Sequence, residues 1–157
     1  MISADLATRA EALLLAAAHA IDDDALESWP DFFTPEAQYR IIPRDGYAAG
    51  EPIGILSCQG QGMMRDRILA LRTANIFEPH RFCHVLSRPV LTPAPGGAVQ
   101  SRCNFALFRT QQAGSSELFA AGRYLDRIEP HEGALRLAAR DVVLESRRVD
   151  ILIVLPI

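Results

Sequence analysis

The chain has a helical spacing of apolar residues in its first part and a strand-like alternation in its second part. This order constrains its fold more than any other feature. After Ser3, a fair N-cap, helical spacing links Leu6, Ala10, Leu13, Leu14 and Ala17 in a segment that reaches about Ala20. From Arg81 onward, apolar and polar residues instead alternate with the period of two that half-buried strands show. Helices followed by consecutive strands with short turns predict an α+β fold built on an antiparallel meander.

Two further helices are predicted in the first half of the chain. The acidic stretch Asp22–Asp24 is expected to cap a shorter helix through Leu26 to Phe33. The clearest helix after the first is Met63–Ala74, whose apolar face consists of Met64, Ile68 and Leu71. Residues 44–62, including the Gly60-Gln61-Gly62 piece, are interpreted mostly as a loop with a short strand at Ile53–Ser57.

The predicted strands cover most of the second half of the chain. Their expected ranges are 39–43, 81–91, 98–110, 118–128, 135–144 and 149–155, with turns at 93–97, 112–116 and 131–133. The strand at 98–110 has the clearest alternation, and one of its faces would hold Val99, Ser101, Cys103, Phe105, Leu107 and Arg109.

Length and composition fit one globular domain spanning residues 1–157. Hydrophobic residues make up 49% of the chain and charged residues 22%, which excludes wholesale disorder. A net charge of -3 argues against a nucleic-acid partner. Three cysteines without a C-x-x-C pair fit a reducing cytoplasm, and the apolar run at 151–157 is far too short to span a membrane.

Several short stretches, taken in order, carry a family resemblance. They are Asp24–Phe33 followed by Tyr39-Arg40, then Asp66–Arg72, Arg81–Ser87, Gly122–Arg127 and Leu135–Leu144. Each stretch alone is a weak pattern, but their order and spacing together are much more specific. From about Leu13 to Ile157 the chain resembles the small β subunits of aromatic-ring-hydroxylating dioxygenases.

The resemblance implies a cystatin-like cone, also seen in nuclear transport factor 2 and ketosteroid isomerase, with N-terminal helices packed on a curved antiparallel sheet. It implies three large and three small subunits, with the small ones also associating as a trimer. The large subunits would carry a Rieske [2Fe–2S] cluster and a mononuclear iron, supplied with electrons by a reductase. Residues 70–80 are most similar to subunits acting on aromatic acids such as terephthalate, anthranilate or salicylate.

Redox chemistry on this chain itself would require a set of metal ligands among its cysteines, histidines and carboxylates. A Rieske centre needs two cysteines and two histidines, and Cys83-His84 is the only adjacent combination, which excludes that cluster here. A mononuclear iron needs two histidines and a carboxylate, and His80 and His84 stand four residues apart, with Glu78 and Asp66 as candidate carboxylates. That spacing leaves a metal open, although packing at a subunit contact is the favoured interpretation.

Two other function classes stay open. A free-standing cone-fold isomerase or dehydratase would use pocket groups drawn from Asp66, His80, His84, Tyr124 and Asp126. The plainer interpretation pairs Asp66 with a neighbouring arginine, puts the Tyr124 hydroxyl at a sheet edge and places Asp126 at a strand end. The other class is a binding module for a small ligand or partner that performs no reaction.

The favoured hypothesis is a structural subunit that carries no catalytic, cofactor-binding or metal-binding residue. Arginine is the cation preferred at buried interfaces, so the candidate subunit contacts are Arg65, Arg67, Arg72 and Arg81, together with His80 and His84. The apolar segment Asp150–Ile157 would be buried in a trimer contact or form the last core strand. The chain would then brace the large subunits that hydroxylate an aromatic acid.

Overall fold

The computed structural model of the chain describes residues 1–52, 54–74, 80–146 and 156–157. Its helices are α1 (Ala4–Asp22), a 3-10 helix (Leu26–Phe32), α2 (Arg44–Ala48), α3 (Gly60–Ala74) and a short 3-10 turn (Pro95–Gly97). Its strands are β1 (Phe33–Pro43), β2 (Leu56–Gln59), β3 (His80–Leu86), β4 (Val90–Pro93), β5 (Val99–Gln111), β6 (Ser116–His131) and β7 (Ala134–Leu144). None of the helices in these ranges has both the length and the apolarity needed to cross a membrane.

The first helix begins as the sequence predicts. The Ser3 hydroxyl accepts a hydrogen bond from the Leu6 amide at 3.1 Å, which satisfies one of the unpaired donors of the first turn. In the third helix the predicted apolar face is also confirmed, because Met64, Ile68 and Leu71 are all buried. Both predictions rest on short sequence patterns, a capping residue in α1 and an apolar spacing in α3, and the folded chain preserves both.

The second predicted helix differs from expectation in type and in cap. Residues 26–32 form a 3-10 helix, and its N-cap is Ala25, which makes no side-chain capping bond. Pro30 lies inside this segment, where its missing N–H and its ring disfavour an α-helical ladder. The acidic stretch expected to cap it is used elsewhere, with Asp22 at the end of α1 and Asp24 at a φ of 57°.

The segment interpreted as a loop is more regular than predicted. Residues 44–48 form α2, and Gly60–Gly62 belong to the first turn of α3 instead of a loop. The short strand is β2 at Leu56–Gln59, while Ile53 lies outside the described residues. Gly60 has a φ of 84°, a left-handed conformation that glycine adopts readily where the strand turns into the helix.

The strand predicted over 81–91 is divided into β3 and β4. Both pieces pair with β5, and they are separated by the connection 87–89, where Pro89 offers no N–H to a ladder. The strands predicted at 98–110, 118–128 and 135–144 are confirmed as β5, β6 and β7, with somewhat longer ends. The strand predicted at 149–155 lies outside the described residues.

The sheet runs in the order β2-β1-β7-β6-β5-β3, and β4 pairs with β5 beside β3. Between the described strands all pairings are antiparallel except that of β1 with β7, which is parallel and aligns Tyr39 with Arg140. At Gly122 on β6 an added Cβ would lie 2.1 Å from the Val143 carbonyl oxygen, so only glycine allows this approach of β7. The result is the expected α+β cone, a curved sheet covered on its inner face by helices.

The core lies between the inner face of the sheet and the helices. Trp29 of the 3-10 helix packs edge-to-face on Phe33 and Tyr39 of β1, with ring centroids 5.0 and 4.9 Å away. From β5 the predicted inward set is confirmed for Val99, Ser101, Cys103, Phe105 and Leu107, all of which are buried. This arrangement determines which polar side chains of β6 and β7 are enclosed in the cone.

Candidate functional site

The most polar feature of the cone interior is an ion pair between β6 and β7. The Arg140 Nε and Nη2 atoms donate to Oδ1 and Oδ2 of Asp126, both at 2.8 Å, and the two residues are register partners. Their side chains are 1% and 0% exposed. Two parallel hydrogen bonds to a carboxylate are the geometry that a guanidinium binds best.

The aromatic neighbours of this pair complete its surroundings. The Arg140 guanidinium carbon lies 3.9 Å from the ring centroid of Tyr124, and that ring stacks on Phe105 at 4.5 Å. Burial raises the pKa of the Tyr124 hydroxyl well above its ordinary value. Tyr124 is 1% exposed and lies inside the cone, so the prediction that its hydroxyl sits at a sheet edge is wrong.

Asp126 lies in the middle of β6, so the prediction that it ends a strand is also wrong. Burial raises the pKa of its carboxyl, and the charge and hydrogen bonds of Arg140 oppose that rise. Both carboxylate oxygens bind the guanidinium. The carboxylate is also 0% exposed, so a substrate cannot reach it, and the arrangement is suited to holding strands together.

The cone interior is closed at one side by Pro156 and Ile157. The Tyr39 hydroxyl donates to the Ile157 carbonyl oxygen at 2.8 Å and accepts from the Ile157 amide at 2.9 Å. Burial raises the pKa of the Tyr39 hydroxyl, which keeps it protonated and able to serve as both donor and acceptor. The adjoining cavity, lined by Trp29, Tyr39, Met64 and Pro156 among others, has a volume of about 10 Å³, room for one water molecule.

A second buried polar pair joins α1 to β3. His84 Nδ1 lies 2.5 Å from Asp22 Oδ1, and the His84 main-chain amide donates to Asp22 Oδ2 at 2.9 Å. The His84 side chain is 0% exposed, and its Nε2 atom makes no hydrogen bond. Among the described strands β3 pairs with β5 alone, and on its other side the Asp22 carboxylate accepts from the His84 amide, which has no partner in a described strand.

An open cleft lies on the surface between α1 and the 87–89 connection. It has a volume of about 330 Å³ and is lined mainly by apolar groups, including Leu14, Leu15 and Leu86. An ion pair between Arg88 and Glu11, at 3.5 Å, lies beside it. Its size is at the lower limit for a ligand pocket, and no buried acid–base pair opens into it.

The arginines predicted on α3 have partners within the chain. Arg65 binds Asp31 at 2.6 Å, and Arg72 binds Asp24 at 2.9 Å and Glu27 at 2.7 Å. Glu27 and Asp31 belong to the 3-10 helix, and Asp24 lies two residues before that helix begins. The sequence suggested that a neighbouring arginine of α3 pairs with Asp66 of the same helix. Arg65 and Arg72 instead pair with acids that lie outside α3.

The remaining predicted residues are spread over the fold. Arg67 is half-buried beside the small interior cavity, whereas Arg81 is exposed on β3. His80 begins β3 opposite Gln111, and its side chain and Glu78 lie outside the described part of the chain. Among the described residues, no group of three or more His, Cys, Asp or Glu side chains is placed to hold a metal ion.

Sequence reasoning missed Asp22 and Arg140, the partners that define the two buried pairs. A signal was present for Arg140, because it and Asp126 are opposite charges at inward positions of two alternating strands that a short turn connects. No comparable signal connects Asp22 with His84, which are 62 residues apart.

Comparison with known proteins decides the family. The family model described as "Ring hydroxylating beta subunit" matches residues 16–150. The chain belongs to this family. As a ring-hydroxylating β subunit it is part of an oxidoreductase complex, and the term itself implies at least one other kind of subunit. The resemblance inferred from the sequence motifs is thus confirmed.

Relatives of this β subunit span nearly its whole length. It is 39% identical to terephthalate 1,2-dioxygenase terminal oxygenase component subunit beta 1 of Comamonas sp., over 89% of this chain and 91% of that protein. It is 35% identical to the anthranilate 1,2-dioxygenase small subunit of Burkholderia cepacia, over 87% and 85%.

Solved structures agree with the fold of the β subunit. A structure from Novosphingobium aromaticivorans, described as the beta subunit of an aromatic-ring-hydroxylating dioxygenase, has a TM-score of 0.87 and 31% identity over 96% of this chain and 95% of that one. A protein from the same organism, described as a scytalone dehydratase, has a TM-score of 0.68 at 11% identity, over 87% and 82%. The second likeness concerns the fold alone, which is the predicted cystatin-like, nuclear transport factor 2-like cone.

Proposed function

We propose that this chain is the small, structural subunit of a terminal oxygenase that hydroxylates an aromatic carboxylic acid. The observation that carries the proposal is its similarity to the terephthalate and anthranilate oxygenase subunits, whose names both contain an aromatic acid. The reaction would take place on the large subunits, and this chain would hold those subunits in position.

The interior of the cone supports a structural role. The Asp126 carboxylate is buried and accepts from Arg140 through both oxygens, and the cavity beside Trp29 and Tyr39 is about the size of one water molecule. An aromatic acid needs a pocket of several hundred cubic ångströms with polar groups that are free to orient it. A filled, internally paired core is what a bracing subunit requires, and it favours this role over a free-standing isomerase or dehydratase.

The proposed assembly has three large and three small subunits, and the small subunits, each a single domain over residues 1–157, also contact one another as a trimer. The large subunits would hold the Rieske [2Fe–2S] cluster and the mononuclear iron, and a reductase would supply electrons to them in the cytoplasm. The subunit contacts predicted from the sequence, which remain predictions, are Arg65, Arg67, Arg72, Arg81, His80 and His84.

The test is co-expression of this chain with a large-subunit candidate that carries paired Cys-x-His motifs. Light scattering on the purified complex gives its mass, and metal analysis gives its iron content with and without the small chain. We expect a complex of unlike subunits whose iron depends on the large subunit, and which hydroxylates one acid from a panel of terephthalate, anthranilate and salicylate.

Two results would contradict the proposal. If the small chain ignores every large-subunit candidate and stays a separate oligomer, the structural role is wrong. If the purified small chain alone transforms a substrate, the alternative of a self-contained cone-fold enzyme is correct. In that case the Asp22–His84 pair is the first place to search for the reacting group, because His84 Nε2 has no hydrogen-bond partner.

A further inference from the structure

Pro156 and Ile157 occupy the interior of the cone although they belong to neither a helix nor a strand. Both residues are buried, and Ile157 is 0% exposed. We call these two residues the interior segment. Its placement depends on side-chain packing and on hydrogen bonds to the elements around it, without a strand ladder among the described residues. Another molecule that makes the same contacts could therefore take its place.

The Tyr39 hydroxyl holds the interior segment as a binding site holds a ligand. It donates to the Ile157 carbonyl oxygen at 2.8 Å and accepts from the Ile157 amide at 2.9 Å. The Tyr39 ring is itself fixed, because it packs edge-to-face on Trp29 and Phe33 at centroid distances of 4.9 and 6.1 Å. Its strand, β1, lies between β2 and β7. The hydroxyl is thus positioned by the sheet and by its aromatic neighbours, and it would stay in place without the interior segment.

The wall beside the interior segment is largely apolar. The small cavity next to Pro156 has Trp29, Leu56, Met64, Ile68 and Leu71 in its lining. Its present volume is about 10 Å³, and the space that the interior segment fills would join it once the segment leaves. The combined space suits a molecule about as large as the two residues now inside it. An enclosed site of this kind takes a small molecule and excludes a folded protein.

Trp29 and Arg67 bring hydrogen-bond donors to this wall. Trp29 is 2% exposed, and its Nε1 atom is buried without a hydrogen-bond partner. A buried donor without an acceptor costs free energy, so an occupant that brings an acceptor is favoured here. Burial raises the pKa of the Tyr39 hydroxyl, and the positive charges of Arg140 and Arg67 oppose that rise. A carboxylate therefore matches this wall better than an amine does.

We propose that the cone contains a binding site for a short, branched carboxylic acid, and that the interior segment occupies this site as an internal ligand. The acid places its branched carbon chain where the Ile157 side chain lies. Its carboxylate accepts from the Tyr39 hydroxyl, which then no longer donates to the Ile157 carbonyl, and from the Trp29 Nε1 atom. Such a site is a property of the small chain alone and goes beyond the proposed function, which assigns the chain a bracing role.

A variant that releases the interior segment tests this site in the whole chain. Ile157→Gly removes the apolar side chain that holds the segment in the cone. Leu135→Ala is the control, because it shortens a buried side chain of β7 next to the hairpin with β6, away from Tyr39. The probe is 3-methylpentanoate, which joins the carbon skeleton of an isoleucine side chain to a carboxylate. Calorimetry measures its binding, and the fluorescence of Trp29, the only tryptophan in the chain, locates it.

The expected affinities follow from competition between the probe and the interior segment. We expect I157G to bind the probe about tenfold more tightly than the wild type or better, because the wild-type site is already occupied. L135A should bind it as weakly as the wild type does. Adding Tyr39→Phe to I157G should weaken binding about tenfold, since a hydrogen bond to a charged group is lost. The amine 3-methylpentylamine has the shape of the probe and the opposite charge, and it should bind none of these proteins.

Thermal unfolding first establishes that each variant is folded, and Ile157→Ala replaces I157G if the glycine variant is not. Equal binding of the probe to the wild type and I157G, or binding that leaves the Trp29 fluorescence unchanged, overturns the site. Equal binding of acid and amine by I157G, or binding that Tyr39→Phe does not weaken, shows a cavity without carboxylate recognition and overturns the ligand class. Absence of binding by every folded variant overturns the proposal as a whole. None of these results depends on a large subunit, so the proposed function is tested separately.

Discussion

Asp126 and Arg140 face each other across β6 and β7 and are joined by two hydrogen bonds of 2.8 Å, with both side chains almost completely buried. Each charge neutralises the other, and the ring of Tyr124 covers the guanidinium. Such a pair does more to determine which strands associate than to perform chemistry.

Removing one member of this pair should destabilise the chain strongly. Arg140→Met leaves the Asp126 carboxylate buried without a counter-charge, and we expect the free energy of unfolding to fall by about 3–5 kcal/mol. The double variant Asp126→Leu with Arg140→Met should recover most of that loss, because no charge then remains buried. Urea unfolding of the wild type, Arg140→Met, Asp126→Leu and the double variant checks this, and a double variant that loses the sum of the two single losses would contradict it.

The Asp22–His84 pair should protect the edge of the sheet. Asp22→Ala removes the acceptor of both the His84 amide and its ring nitrogen, with an expected loss of about 1–3 kcal/mol in stability. The direct measurement is hydrogen exchange at the His84 amide, which should accelerate. Asp23→Ala, at an exposed neighbouring position, is the control and should leave that exchange rate unchanged. Equal rates in both variants would show that the carboxylate does not protect the strand.

The hydroxyl of Tyr39 should hold Ile157 in the core. Tyr39→Phe leaves the buried Ile157 amide and carbonyl without their partner, so we expect a loss of about 1–3 kcal/mol in the free energy of unfolding. Tyr47→Phe removes a hydroxyl from a residue that is 40% exposed, and it should change stability by no more than about 0.5 kcal/mol. The idea fails if both variants are as stable as the wild type.

The contact between Arg72 and Glu27 should depend on pH with a defined sign. The hydrogen bond from Arg72 lowers the pKa of the Glu27 carboxyl, so the contact stabilises the fold above the ordinary carboxyl pKa. That stabilisation is lost as pH falls through the lowered pKa. A carbon-13 NMR titration of Glu27 should show its pKa rising towards the ordinary value in Arg72→Gln. Arg65→Gln, which breaks the separate contact with Asp31, should leave the Glu27 titration unmoved.

Local hydrophobic period was sufficient to predict much of the fold. The inward face of β5 and the apolar face of α3 follow from spacing, because each side chain's direction depends only on the regular structure that holds it. The family resemblance rested on similar short-range patterns. Departures occurred where one residue type overrides the period, such as Pro30 in the 3-10 helix and Pro89 between β3 and β4.

By itself the sequence determined the α+β class, the inward and outward faces of the main strands, and the family. Tertiary structure alone decided the parallel pairing of β1 with β7 and the contact of Asp22 with His84 across 62 residues. It also decided that the Asp126 and Arg140 charges are enclosed together and that Cys83 and Val85 face outward beside Phe108. The physical reason is that spacing specifies which way a side chain points, whereas its partner depends on which distant element the folded chain brings against it.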